Sequence, residues 1–464
     1  MSSWHPDLSG RDGPRYLAIV DAIADDIRSG RLTPGTRLPP HRDLAWRLKV
    51  TVGTIARAYA EAERQGLVSG EVGRGTFVKD PGSEPTLGDF LSAQAIGSGN
   101  NLLDMAVNRP TGDCNATEVA AALQEVANRP NFADMLTYHL DAPPLRLRAA
   151  GAAWLQRFGV QVPAERIVIT TSGQQAIIAA LAAVTRPGDG VLVEEFAYPG
   201  VKSAASLLGR HMVPLRCDDE GPCPDAFEQA LVERHGRVLY AIPSVSNPTT
   251  VTWSESRRRA IAELARRHDG LIIEDGIYDF LTTGGLSSMT AFAPERVIHI
   301  TSLAKAIAPG LRIGYAAAPE GFVGRIAGGV AATTLMVPAI LAETAALMIE
   351  NGSGAACAER QRAEATERSR IANALLSEGQ CLSPATFNTW LPLPPPWTAA
   401  DFVAEARKNG VVVTPGGSFA IGKPRLEAVR VSLSAVPTRE SLERGLRILA
   451  GLLRVLPEAS TVTV

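Results

Sequence analysis

The 464-residue chain predicts an α/β protein with a smaller helical unit at its front. Two observations predict this. Apolar, β-type runs alternate with helical patterns at "RIVIT" (166–170), "GVLVEEF" (190–196), "RVLYAIP" (237–243), "LIIED" (271–275), "RVIHIT" (296–301) and "RIGYAAA" (312–318), which implies a mostly parallel sheet covered by helices. Ahead of them, residues 14–79 hold short helical patterns and a glycine-marked strand pair.

Between the two, residues 80–101, "DPGSEPTLGDFLSAQAIGSGNN", are polar and rich in Gly, Ser and Pro, as a linker is. The large domain is expected over 102–464. Its last part, about 390–464, follows the break "LPLPPPW" with "DFVAEARKNGVVVTPG", "AVRVSLSAV" and an amphipathic helix over 438–455, which together read as a small α+β subdomain. A chain of this length exceeds one core, so several globular units are expected.

Composition narrows the function classes. A formal net charge of -2 and a pI near 6.4 exclude a uniformly basic nucleic-acid coat, so any DNA contact belongs to a local patch. The five cysteines lie far apart without a C-x-x-C pair, the seven histidines show no metal-ligand spacing, and the first residues carry no charged-then-apolar leader. The chain therefore reads as a reduced, cytoplasmic protein without a metal. The uncharged run over 326–342, "IAGGVAATTLMVPAILA", is interrupted by Gly, Pro and Thr and is expected to be a core or inter-subunit helix rather than a membrane span.

In the front unit, Tyr16, Ile19, Val20, Ile23 and Ile27 recur at helical spacing until Gly30 and the Pro34-Gly35 pair stop the helix. "HRDLAWRLKV" follows with Leu44, Ala45 and Leu48 inward. A turn over 49–51 leads to "VGTIARAYAEAERQGLV", which exposes Arg57, and "SGEVGRGTFV" makes a glycine-tipped hairpin. A helix opened by short hydroxyl residues suits a DNA major groove, with amides and arginines on phosphates. The same pattern also describes a three-helix protein-interaction module.

"GRLTPGTRLPPHRDLA", "TIARAY" and "GRGTFV" together resemble the GntR-type winged helix-turn-helix over the whole unit. The resemblance implies DNA contacts at Arg42, Thr51, Thr54 and Gly73, with Arg57 a further member. Many relatives carry an arginine where this chain has Val52, followed by Gly53. An apolar side chain there can meet a thymine methyl but cannot read guanine bidentately.

Further on, Lys305 in "TSLAKAIAPGLRIGY" stands just past a strand-like run, a place from which a lysine can form a Schiff base with pyridoxal phosphate. That cofactor needs a carboxylate, a phosphate cradle and a ring platform. Asp275 at the end of "LIIED" supplies the carboxylate for the pyridine nitrogen. Tyr278 and Asn247 can face the ring phenolate oxygen. Ser172, Gly173 and Gln174 in "TTSGQQAIIAALAA" offer amides at a helix start, joined by Ser302 and Arg312, and Tyr198 in "EEFAYPG" is the platform candidate.

Each feature alone is commonplace in structural roles. Their order and spacing resemble fold-type I aminotransferases of the aspartate aminotransferase kind over about residues 100–455. This resemblance implies that Lys305 is the Schiff-base lysine and that Arg430 in "AVRVSLS" binds a substrate carboxylate. A GntR-type winged helix fused to such a domain resembles the MocR subfamily of regulators. That family implies a pyridoxal-phosphate-dependent transcription regulator that senses an amino-acid-like effector or the cofactor itself, binds operator DNA and forms a head-to-tail homodimer. Departures from the family pattern are Gly276 in place of a second aspartate, Ala304 in place of serine and Thr250 in place of glycine. "LTYHLDAPPLRLRAA" also lacks the usual glycines, which puts in doubt Tyr138 as a phosphate ligand to a partner subunit. The alternatives are a working aminotransferase with an accessory DNA-binding unit, and a DNA-binding protein whose enzyme-like domain only dimerises.

Overall fold

A computed structural model describes residues 4–8, 15–33, 35–64, 67–71, 75–78, 102–111, 115–282, 285–376, 384–422 and 426–455. The chain divides into two units, Met1–Thr86 and Leu87–Val464.

In the first unit α1 (Arg15–Arg28), α2 (His41–Leu48) and α3 (Val52–Arg64) precede a hairpin of β1 (Val68–Glu71) and β2 (Gly75–Val78). The spacing of Ile19, Val20 and Ile23 places all three on one stripe of α1, buried against Leu44, Ile55 and Ala58. Lys49 closes α2 in a left-handed conformation, and Thr51 opens α3 by accepting the backbone N–H of Thr54 at 3.1 Å. The hairpin pairs antiparallel, Val68 opposite Val78 and Glu71 opposite Gly75. Gly73 and the linker expected over 80–101 lie outside the described residues.

The second unit begins with β3 (Leu103–Asp104). It continues through β4 (Ile167–Thr170), β5 (Gly190–Glu194) and β6 (His211–Leu215), a hairpin of β7 (Cys217–Asp218) and β8 (Gly221–Pro222), and then β9 (Val238–Ala241), β10 (Leu271–Asp275), β11 (Val297–Ser302) and β12 (Gly314–Ala317). Seven of these form one sheet in the order β4-β12-β11-β10-β9-β5-β6. All neighbours are parallel except at β12, which runs antiparallel to both β11 and β4.

Helices cover both faces. Ile177, Tyr240, Ile273 and Ile300 share one core, and Leu239, Trp253, Ile261 and Ile272 another. Double-sided burial explains why β4, β5 and β9 bury every residue and read in sequence as unbroken apolar runs. β6, "HMVPL", is not among the runs that the sequence marks. It is an edge strand, largely open to solvent, and contains Pro214, which an edge tolerates.

The apolar run over 326–342 is not one helix. It divides between helices Glu320–Thr334 and Ala339–Glu350, separated at Leu335, whose φ is 63°, and Pro338. Among the described residues no helix is long and apolar enough to cross a membrane.

Last come β13 (Asn388–Pro392), β14 (Val411–Val412), β15 (Thr414–Pro415) and β16 (Ala428–Ser432). β16 is the middle strand of β13-β16-β15, while β14 pairs in parallel with β3. Helices Ala399–Lys408 and Arg439–Leu453 bring Phe402, Leu442, Leu446 and Leu449 onto Val429 and Val431. Met105 and Ile371, distant in sequence, complete this core. Arg430 sits on the middle strand, opposite Trp390 and Thr414.

Candidate functional site

The ends of the parallel strands gather the candidate residues, as open α/β sheets do for ligands. Asp275 ends β10 and Ser302 ends β11. Lys305 lies in the single helical turn Leu303–Ala306, and Ser172 caps helix Gly173–Val184 just after β4.

Lys305 donates from Nζ to the backbone carbonyl of Asn108. Burial, with the positive charges of Arg430 and Arg109, lowers its pKa to about 8, so a neutral amine is accessible near neutral pH. Asp275 is buried and accepts the Tyr240 hydroxyl at 2.7 Å and the Ile277 backbone N–H at 3.1 Å. Burial raises its pKa to about 6, outweighing the hydrogen bonds from Tyr240 and Ile277 and the positive charge of His299.

Asn108 Nδ2 donates to the Tyr278 hydroxyl (3.1 Å) and to Asn388 Oδ1 (2.8 Å). The buried Arg430 donates to Asn247 Oδ1 (2.9 Å) and to the Ala106 carbonyl, with its guanidinium 4.7 Å from the centre of the Phe419 ring. Burial lowers the Arg430 pKa to about 10 against the opposing influence of Tyr278 and Tyr198. Residues 106–108 thus tie Lys305, Tyr278 and Arg430 into one network, with Asn247 attached through Arg430. Burial and the negative charge of Asp275 push Tyr198 up to about 12.

On the helix side of the site, Ser172 Oγ accepts the Gln175 backbone N–H at 3.1 Å. Gln174 donates to the Gly200 carbonyl at 2.7 Å, and its buried Oε1 has no hydrogen-bond partner. A Cβ at Gly200 would lie 2.1 Å from the Tyr198 ring and 2.2 Å from Gln174 Oε1, so glycine permits these two side chains to meet. A Cβ at Gly173 would lie 3.5 Å from that of Ser302, which brings the helix start and the end of β11 together. Arg312 is exposed and adopts φ 49°, and its side chain makes no hydrogen bond or ion pair with the described residues. Ser302 Oγ donates to the Ile313 carbonyl (3.1 Å) and accepts the Ala304 N–H (3.2 Å).

Two departures acquire physical reasons. A Cβ at Gly276 would lie 2.1 Å from Asp279 Oδ2 and 2.5 Å from His299 Nε2, so no second aspartate fits. His299 is fully buried between Asp279 (3.3 Å) and Glu274 (3.5 Å). Burial opposes its charge, yet the two carboxylates hold its pKa up at about 10. Thr250 has φ 63°, the left-handed region for which glycine is the usual choice, and Val245 has φ 53°. Such β-branched residues cost about 1–3 kcal/mol each and persist only where neighbours over-determine them. Here the Ser246 hydroxyl donates to buried Glu194 (2.9 Å) and Asn388 donates to the Pro248 carbonyl (2.8 Å), which fixes the Asn247 loop.

On the first unit Arg42, Thr51 and Val52 are exposed and Thr54 is half-buried. The two threonine hydroxyls meet at 2.9 Å. Arg57 lies over the Tyr16 ring, 4.1 Å from its centre, and is thereby held against α1. Tyr138 is 77% exposed.

Asn108, Tyr240 and Asn388 are residues that sequence reasoning missed. Their signals are slight: an asparagine after the apolar "MAV", a tyrosine inside an aliphatic strand, and an asparagine opening β13.

Residues 15–78 match the gntR family of bacterial regulatory proteins, and residues 100–449 match aminotransferase class I and II, whose members depend on pyridoxal phosphate. The chain is 34% identical to the HTH-type transcriptional regulator YdeF of Bacillus subtilis over 97% of each protein. It is 25% identical to the HTH-type transcriptional regulator TauR of Rhodobacter capsulatus over 88% of this chain and 90% of that one. An archaeal alanine:glyoxylate aminotransferase superposes with a TM-score of 0.73 at 25% identity, covering 85% of this chain and 98% of its own. A gntR-type front unit on an aminotransferase fold, shared along nearly its whole length with such regulators, means that the chain belongs to the MocR-type family of transcriptional regulators.

Proposed function

We propose that this regulator holds pyridoxal phosphate on Lys305 and reads an amine bearing a carboxylate, transmitting its presence to operator DNA. The observation that carries the proposal is the convergence of a lysine of lowered pKa and a buried arginine on residues 106–108, with the buried carboxylate of Asp275 at the end of the strand paired with β11.

The residues present fit the cofactor. Asp275 would face the pyridine nitrogen, whose positive charge its buried carboxylate lacks. Tyr278 and Asn247 would approach the phenolate oxygen. The start of helix Gly173–Val184, with Ser172, Gly173 and Gln174, would meet the phosphate beside Arg312, and Ser302 would reach it by turning from Ile313. Tyr198 would form the ring platform. When bound, the cofactor supplies an aldehyde carbon that a primary amine can take over from Lys305.

Arg430 hydrogen-bonds to two uncharged oxygens, on Asn247 and Ala106, so an incoming carboxylate would bring it charge-assisted bonds. Arg430→Ala should raise the amine concentration needed to shift the visible spectrum and operator affinity by about tenfold or more. An unchanged concentration, with the cofactor spectrum normal, removes Arg430 from the carboxylate role. Steady turnover of an amino acid with a keto acid, without any change in operator affinity, would favour a working aminotransferase instead.

DNA binding is assigned to the exposed Arg42 on a phosphate, with Thr51, Thr54 and Val52 at base edges. Arg57, held on Tyr16, takes a lesser part, and Gly73, outside the described residues, is kept as a further contact on the gntR resemblance. Arg42→Ala should weaken binding to all sequences and lower the slope of affinity against salt by about one counterion. An unaltered slope would move Arg42 off the backbone. The exposed Leu136, Tyr138, Leu140, Leu145 and Leu335 offer an apolar face for the head-to-tail homodimer, and paired operator half-sites suit such a dimer.

A further inference from the structure

We propose that Arg109 is a second anion anchor at the Lys305 site, and that the effector is an amine carrying two acidic groups, of the amino dicarboxylic acid class. This rests on the reading of Lys305 and Arg430 given above.

Residues 106–109 form one wall of the site. The Ala106 carbonyl accepts from Arg430, the Asn108 carbonyl accepts from Lys305, and the Asn108 amide reaches Tyr278. Arg109 comes next in the chain. Its guanidinium lies 3.4 Å from Asp104 Oδ2, and the other oxygen of that carboxylate accepts the Ala106 backbone N–H at 3.0 Å. Two guanidinium groups therefore approach the same stretch of backbone. Arg430 is buried, while the Arg109 side chain is 58% exposed. The Lys305 amine donates to the residue directly before Arg109, and the positive charges of both arginines lower its pKa.

The two arginines suit different halves of a ligand. Arg430, held by Asn247 and Ala106, is fixed in direction and takes the carboxylate next to the amine. Arg109, itself exposed and on a long pair with the half-buried Asp104, keeps rotamer freedom and gives up little by turning to another acid. Only a ligand with an acid group away from its amine engages it. A neutral side chain leaves Arg109 with Asp104 and gains nothing.

The test uses the full chain loaded with pyridoxal phosphate, titrated separately with L-glutamate, L-aspartate, L-norvaline and L-alanine while the visible spectrum is followed. The dicarboxylic amino acids should half-saturate at concentrations about tenfold or more below L-norvaline, which has nearly the chain length of glutamate without its acid. Arg109→Ala should remove most of that difference while leaving the L-norvaline response in place, and Arg109→Glu should turn preference toward L-ornithine. Equal response to glutamate and norvaline in the wild-type chain, or retained discrimination in Arg109→Ala, overturns the role of Arg109 and leaves the effector reading standing. No response to any of these amines overturns the effector reading, and this inference with it.

Discussion

Lys305→Ala should abolish the borohydride-fixed adduct between the chain and pyridoxal phosphate, a complete loss rather than a graded one. The reason is positional. Lys305 is the lysine whose amine is poised near neutral pH at the strand ends, beside Asp275, Tyr278 and Arg430. Lys202, which is buried, is directed elsewhere, donating to the Ala420 carbonyl at 3.0 Å. Peptide mass mapping of the reduced protein reads the result. An adduct that survives on another lysine would falsify the assignment. Because Lys305 is near the surface of the pocket rather than in the apolar core, the variant should fold and keep its melting temperature within a few degrees.

Asp275→Ala should weaken cofactor binding about a hundredfold or more. Its carboxylate sits in a buried setting, where removing one partner of a charge pair costs about 3–5 kcal/mol. Equilibrium dialysis gives the constant, and Asp275→Asn separates charge from shape. Asparagine keeps the volume and an oxygen for Tyr240, so a similar loss in both variants identifies the charge as the cause. An affinity unchanged in Asp275→Asn would take Asp275 away from the pyridine nitrogen.

Much of this architecture was legible in the sequence because its signals are local. Strands buried on both faces, such as β5 and β10, appear as aliphatic runs, and helix starts and glycine turns mark the elements between them. Site residues tied to a strand end, Asp275 and Lys305, were legible for the same reason. Asn108 was not, because its role arises from contacts with Tyr278 and Asn388, 170 and 280 positions away. Tyr240 looks in sequence like one more core aromatic, and only the pairing of β9 with β10 turns its hydroxyl to Asp275. The Gly276 departure was visible as a difference and not as a necessity. His299 and Asp279 fill the space that a second aspartate would require, and His299 is not recognisable as a neighbour until β10 and β11 pair.

The burial of Asp275 also bears on the chain before any ligand reaches it. In the folded protein its carboxyl keeps a proton up to about pH 6, whereas in the unfolded chain it releases that proton near pH 4. Between those values the folded state carries more protons than the unfolded one, so stability falls as pH rises through the window. At neutral pH the ionised group carries a net cost of about 3 kcal/mol, burial outweighing its hydrogen bonds and the charge of His299. A cation set against Asp275 removes that penalty, so folding and ligand binding are coupled by mass action. Loading the chain with such a ligand at neutral pH should therefore raise its melting temperature and its resistance to proteolysis.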